Sequence, residues 1–316
     1  MSRSKNGKLN YGINKYHDIY LNPYDFAKGI RQGKIEHYQL EPVNFSGELT
    51  QVVTEQVIVS VHKMDSAILQ TGTGMNGYIT FLIPGNMMQD IRWREQRLSG
   101  KRIGILKNNM WHFAVTPPKF FATPVSLSNA YFNDLIIKYG YDENIYTLIQ
   151  KKETIELKPE DAYQIQQMVI SLCNSKHLDY DLMTIALPEL ILKSIAKTVD
   201  ELPRQISRSR EIVFGKSLAY IHEHLEQRIT TSKICSSIEI SERNLRYIFK
   251  EMIGLSPMKY VKFIQLNKVR KEIIYAKKNI EIQMIANNWG FGHSGQFAAD
   301  YKKLFGELPS ESNKTY

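Results

Sequence analysis

The sequence predicts an α+β chain in two parts, a mostly-β region with trailing helices and then an all-α region. Three observations predict it. Short β-branched and aromatic runs, divided by turn residues, fill about 45–127. From Ser128 the apolar period lengthens from two to three or four residues. The last third carries one helix-turn-helix pattern twice. At 316 residues the chain is long enough for two cores, with 1–205 and 206–316 as the expected domains.

In chain order, Asn22-Pro23-Tyr24-Asp25-Phe26 reads as a turn leading into a short helix. Val52 to Val61 is β-branched, with Val53, Val57, Val59 and Val61 on one parity, which is a strand pattern. Further strands are expected at Ala67–Leu69, Tyr78–Ile83, Arg102–Leu106, Trp111–Val115 and Lys119–Phe121. Thr71 to Gly74, Pro84-Gly85, Lys107-Asn108-Asn109 and Pro117-Pro118 supply turns between them. Strands at this spacing suggest a small sandwich or barrel.

Helices are expected over about 128–200. Ala130, Tyr131, Leu135 and Ile136 share one face, with Gly140 as a stop. Pro159 opens the next helix, where its missing N–H is harmless, and Ile165, Met168, Val169 and Leu172 form its stripe. The stretch from Asp181 to Val199 should be bent or split at Pro188. Two such helices either pair as a hairpin or cover the β core. Pro203 to Arg210 is polar, basic and unpatterned, as a linker would be.

In the last part, Gly215 to Gln227 is an amphipathic helix, Ser232 to Ser237 a short scaffold helix, and Ser241 to Met252 a recognition helix with Ser241 as N-cap. Ser256 then Pro257 is an N-cap followed by an N1 proline, opening a long helix to about Lys277. A helix of roughly 20 residues spans about 30 Å. Successive major-groove faces of a duplex lie about 34 Å apart. Ala286 to Pro309 then reads as a helix ending near Asn288, a corner at Gly290, and a helix from about His293 to Phe305. Phe297, Tyr301, Leu304 and Phe305 give that helix one apolar face, and Ser294 is its candidate N-cap.

The second unit echoes the first. Phe249-Lys250-Glu251-Met252-Ile253-Gly254-Leu255-Ser256-Pro257 matches Tyr301-Lys302-Lys303-Leu304-Phe305-Gly306-Glu307-Leu308-Pro309, with aromatic, Lys, Gly and Pro at the same offsets. Leu245 stands before the first aromatic as Phe297 stands before the second, and Ile234-Cys235 corresponds to Ile285-Ala286. This repeat, carried by Ala286, Trp289, Gly290, Phe291, Phe297, Tyr301, Lys302, Phe305, Gly306 and Pro309, resembles the AraC/XylS family of transcription regulators. The resemblance covers roughly Ser209 to the C-terminus, about a third of the chain. It implies double-stranded DNA as partner, RNA polymerase as a second one, and transcriptional activation. For the first part it implies a cupin-like barrel at about 45–127 that senses a small-molecule effector or forms a homodimer, with the helices that follow as the dimerising region.

The resemblance places base-contacting side chains at Arg243, Arg246 and Tyr247. The residues agree. With Leu245, Ile248 and Phe249 turned to the core, these three face outward, and an arginine can pair bidentately with guanine O6 and N7. Lys250, near the helix end, suits a phosphate. The second recognition helix departs from the family pattern, with Gly295, Ala298 and Ala299 where polar or basic readers are usual, and with acidic Asp300 set to repel phosphate. His293, Ser294 and Gln296 are its candidate base contacts, and Lys302 and Lys303 would hold the DNA backbone. Glu239 stands where the second unit has Gly290, so the first corner needs another turn geometry or accepts strain.

Charge points the same way. Residues 206–316 hold 18 Lys+Arg against 11 Asp+Glu, whereas 1–205 hold 23 against 21. The basic excess therefore lies with the helix-turn-helix repeat, as a polyanion partner requires. Two cysteines, Cys173 and Cys235, exclude a disulfide framework, a Cys-based zinc site and a clustered alkyl-transfer set. His62 and His112 stand alone on presumed strands, and Trp93 and Trp111 read as barrel core. No metal site, cofactor or enzymatic activity is expected. The competing readings are a cupin-type metal enzyme and an effector-independent architectural DNA binder. The start of the chain lacks an apolar signal core and no apolar run reaches membrane-span length, so a cytoplasmic protein is expected.

Overall fold

The computed structural model describes residues 12–31, 34–85, 91–94, 96–108, 110–140, 143–198, 209–227, 229–276 and 281–312. Residues 1–8 and residues 203–208 of the expected linker lie outside these, and its last two, Ser209 and Arg210, belong to a helix. The described residues divide into two compact units, one drawn from 1–37, 45–65 and 70–204, the other from 38–44, 66–69 and 205–316.

The first unit begins with β1 (Asn14–Tyr20) and α1 (Pro23–Gly29). The Asn22 side chain caps α1 by accepting from Asp25 N–H at 2.8 Å, and Pro23 sits where its missing donor is not needed. Next come β2 (Lys34–Gln39), β3 (Gly47–Val53), β4 (Val57–Met64), β5 (Ile68–Thr73), β6 (Tyr78–Pro84), β7 (Ile91–Trp93) and β8 (Gln96–Leu98). β9 (Arg102–Leu106), β10 (Trp111–Thr116) and β11 (Phe120–Ser128) complete the run. After α2 (Asn129–Lys138) and α3 (Glu143–Lys151), β12 (Thr154–Glu156) returns to the sheet, and α4 (Pro159–Asn174) and α5 (Leu187–Ala196) follow. The strand orders are β1-β3-β4-β11-β6-β9-β12 and β2-β5-β10-β7-β8. The mostly-β expectation therefore takes the form of two antiparallel sheets whose hydrogen bonding leaves open edges.

Three expectations for this unit are corrected. The β region begins at Asn14, ahead of residue 45, because β1 and β2 are polar edge strands without an apolar alternation to reveal them. Val52 to Val61 is a hairpin, with β3 and β4 joined at Thr54, which bonds through both its N–H and its hydroxyl to Val57. The single parity misled because α4 covers β4 on its outer face, so both faces of that strand are buried. Inside the expected helical stretch, α3 is a further helix, and β12 is a strand where only helix is expected.

The helices after β11 serve as cover for the seven-stranded sheet. Ile165, Val169, Leu172, Leu187, Ile191 and Ile195 are buried in one cluster with Val59, Phe81, Ile105 and Val125. Each such side chain contributes about 1.5–3 kcal/mol by leaving water. Pro188 does interrupt its helix. The chain is π-helical over Leu182–Ala186 and α-helical from Leu187. Lacking an N–H, Pro188 cannot bond the Thr184 carbonyl, and the Tyr131 hydroxyl donates to that carbonyl instead.

The second unit contains α6 (Ser209–Glu223), α7 (Thr231–Ile238), α8 (Glu242–Ile253), α9 (Pro257–Tyr275), α10 (Ile282–Asn288), α11 (Ser294–Phe305) and α12 (Pro309–Ser312). Thr230, Ser241 and Ser256 cap α7, α8 and α9 through their side-chain oxygens. Gly254 and Gly306 end α8 and α11 in the left-handed region, with φ of 72° and 78°, which is why glycine recurs at that offset in the repeat. At 19 residues, α9 is a rod of about 28 Å.

Candidate functional site

Each helix-turn-helix is built by burying one helix face so that the other is free. On α8, Leu245, Ile248 and Phe249 are buried, and Phe249 meets Phe214 and Tyr260 edge-on at 5.0 and 5.8 Å. On α11, Phe297, Tyr301 and Phe305 pack with Val269, Ile273, Ile285 and Ala286, and the Tyr301 hydroxyl bonds Ser312 at 2.7 Å. The paired positions Ile234-Cys235 and Ile285-Ala286 are buried in both units. That geometry explains the echo in the sequence.

The corners differ in composition and share a positive φ. Gly290 has φ of 87°, and Glu239 has φ of 57° and ψ of 46°. The first corner therefore keeps the left-handed turn and accepts the steric cost of a side chain there. Ser294 is the first residue of α11, and the N-cap is His293, whose side chain makes no capping bond. The expected Ser294 cap is corrected accordingly.

The candidate readers are exposed as expected. Arg243, Arg246, Tyr247 and Lys250 all lie on the outer face of α8. Arg246 Nη2 pairs with Glu242 Oε2 one turn earlier at 2.7 Å, which pre-orients the guanidinium along the helix. With both partners more than a third exposed, that pair is easily exchanged for another acceptor. On α11, His293, Ser294, Gln296, Lys302 and Lys303 are exposed. Gln296 donates to Asp300 at 3.0 Å, and Lys262 of α9 pairs with the same carboxylate. Burial opposes ionisation of Asp300, but the bonds from Lys262 and Gln296 outweigh it and hold the carboxyl below its usual range. The expected phosphate repulsion is thus largely neutralised within the fold.

Sequence reading missed Arg270, which lies buried on α9 in the same unit. It donates to Gln39 Oε1 at 2.7 Å and to Glu307 Oε1 at 2.9 Å, and its guanidinium stands 4.5 Å from the Phe305 ring centre. Nothing in a lone arginine of an amphipathic pattern announces this.

In the first unit the two sheets enclose a cavity of about 70 Å³. His37 of β2, His62 of β4, His112 of β10 and Trp93 of β7 line it. The reading of isolated histidines is corrected here, since strands distant in sequence converge on one space that also takes in His37. Burial, helped by the neighbouring His62 and His112, pushes the His37 ring down to about 3. Burial takes His62 to about 4, and burial with Arg94 nearby takes His112 to about 3. All three rings are neutral at pH 7. Among the described residues, no set of three or more His, Cys, Asp or Glu side chains is placed to hold a metal ion. Cys173 is pushed up to about 12 by burial and Cys235 is raised by burial, the opposite of an activated thiol. No helix among the described residues is long and apolar enough to cross a membrane.

Residues 234–315 match the family described as a helix-turn-helix domain. A probable thc operon regulatory protein of Rhodococcus erythropolis is 36% identical over 97 residues, 30% of this chain and 29% of that protein. The XylDLEGF operon transcriptional activator 2 of Pseudomonas putida is 30% identical over 121 residues, 37% of this chain and 77% of that protein. A probable AraC family transcriptional regulator of known structure from Rhodopseudomonas palustris CGA009 is 28% identical, with a TM-score of 0.31 over 33% of this chain and 95% of that one. A double helix-turn-helix domain is thus the class of its second unit. The chain belongs to the AraC/XylS family of transcription regulators. It spans between 29% and 34% of the length of several of the curated relatives it matches.

Proposed function

We propose that the protein is a transcription activator that reads DNA in the major groove through α8 and grips the backbone through α11, under control of a small molecule held by its first unit. The observation that carries the reading is the outer face of α8. Arg243, Arg246, Tyr247 and Lys250 crowd one exposed surface while the opposite face is fully apolar and buried. Two arginines on such a helix can each specify a guanine. The small residues of α11 leave Lys302 and Lys303 as its main DNA contacts, so that half contributes affinity more than sequence. RNA polymerase is the partner through which activation would act, a homodimer is the proposed functional form, and the cytoplasm its location.

The test is selection of bound fragments from the source genome by the full-length protein, followed by footprinting. Enrichment of one sequence class, protected over two adjacent major-groove segments, supports the proposal. Binding of every fragment alike at all salt concentrations would refute sequence-specific regulation and favour the architectural reading.

A further inference from the structure

We propose that the cavity between the two sheets takes a small uncharged molecule bearing a hydroxyl or amide group on an apolar frame, gripped by His37, His62, His112 and Trp93. The inference rests on the regulator reading above and adds the chemistry of its ligand.

On the described wall of this cavity, five buried ring nitrogens have no hydrogen-bond partner: both of His37, Nε2 of His62, Nδ1 of His112 and Nε1 of Trp93. Buried polar atoms are rarely left so, and these five belong to side chains that line one space. The other polar groups of the wall are already paired with one another. Gln51 donates to Ser60 at 3.1 Å, Thr80 and Ser126 share a bond of 2.8 Å, and Gln70 meets the His112 Nε2 at 3.3 Å. What remains is therefore a set aimed at a ligand.

The set defines the ligand. Trp93 Nε1 only donates, so the ligand must offer an acceptor. A neutral imidazole has one donor and one acceptor, so His37 calls for a group that can do both, as a hydroxyl or amide does. Among the described residues, no Lys, Arg, Asp or Glu lines the cavity. A cation would find no carboxylate, and an anion would first have to protonate a ring that burial holds at about 4 or below. Beside these three rings, which face one another, Arg94 stands near His112 and is paired with Glu153. Ile35, Ile58, Leu82 and Phe120 supply the apolar wall. At 10–15 Å³ per water-sized site, about 70 Å³ suits a molecule of roughly five or six heavy atoms.

The test uses the full-length protein with isotope-labelled histidine, titrated with 1-butanol, butyrate, butylammonium and Zn²⁺ while ring resonances are followed by NMR. The expected result is saturable movement of the His37, His62 and His112 signals with 1-butanol, with the same Kd within twofold at pH 6.5 and 8, and at least tenfold weaker response to both ions. His37→Leu should abolish the response with the fold retained. Should that variant not fold, Trp93→Phe, which removes one donor, should weaken 1-butanol at least threefold. Butyrate binding as tight as that of 1-butanol at pH 8, where the acid is almost wholly ionised, would overturn the uncharged class and leave an effector site standing. So would stoichiometric Zn²⁺ uptake on the three rings. Silence to every probe, in protein that still binds its DNA fragments, would overturn the cavity as a ligand site without touching the DNA-binding reading.

Discussion

The left-handed corner at Glu239 makes a reciprocal pair of perturbations informative. A non-glycine residue in that region costs about 1–2 kcal/mol, because Cβ crowds the following carbonyl oxygen. Glu239→Gly removes that cost but gives the unfolded chain more freedom, which takes back about 0.4–1 kcal/mol. The net expectation is a stabilisation of about 0.5–1 kcal/mol. Gly290→Ala runs the other way at φ of 87°, and its new Cβ would stand 3.3 Å from the Gln265 Nε2, whose bond to the Leu225 carbonyl at 3.0 Å resists displacement. It should cost about 0.5–1 kcal/mol from the backbone alone. Urea unfolding of both variants, followed by helix signal, measures the difference through the midpoints at constant slope. Two shifts of the same sign would refute the claim that the corners share a positive φ.

Other expectations follow from buried groups. Arg270→Met leaves the Glu307 carboxylate without its cation and the Gln39 Oε1 without the Arg270 donor, and should destabilise the second unit by about 3–5 kcal/mol in the same assay. Tyr131→Phe strands the Thr184 carbonyl beside Pro188 and should cost about 1–3 kcal/mol in the first unit. The three cavity histidines have folded values below the ordinary 6.5. Their neutral burial therefore contributes stability that is full above about pH 6.5 and is lost as pH falls towards 4, at about 1.4 kcal/mol per pH unit for each ring. A thermal-unfolding midpoint of the first unit unchanged between pH 7 and 4.5 would contradict this.

Much of the second unit was legible because its code is local. Helix caps such as Ser241 and Ser256, the glycine ends Gly254 and Gly306, and the apolar stripes of α8 and α11 are all set within a few residues. The motif's repetition then fixed its register. The first unit was legible only as strands. Which strands meet is decided by sheet pairing over long separations, so neither the convergence of His37, His62 and His112 nor the hairpin at Thr54 could be read from spacing. A covered sheet also erases the alternation that marks a strand face, as in β4. Arg270 was hidden for a related reason, since its partner Gln39 lies far away in the chain.

The central claim is that α8 reads bases while α11 holds the backbone. Its most direct test is a binding titration of Arg243→Ala, Arg246→Ala, Gln296→Ala and Lys302→Ala against the selected operator and its single-base variants, at two salt concentrations. Loss of either arginine should weaken operator binding roughly tenfold or more, about 1–3 kcal/mol, and relax preference at one base position. Lys302→Ala should weaken all sequences alike and lower the salt slope by about one unit at most. If Gln296→Ala relaxes specificity more than either arginine change, α11 is the principal reader and the assignment is contradicted.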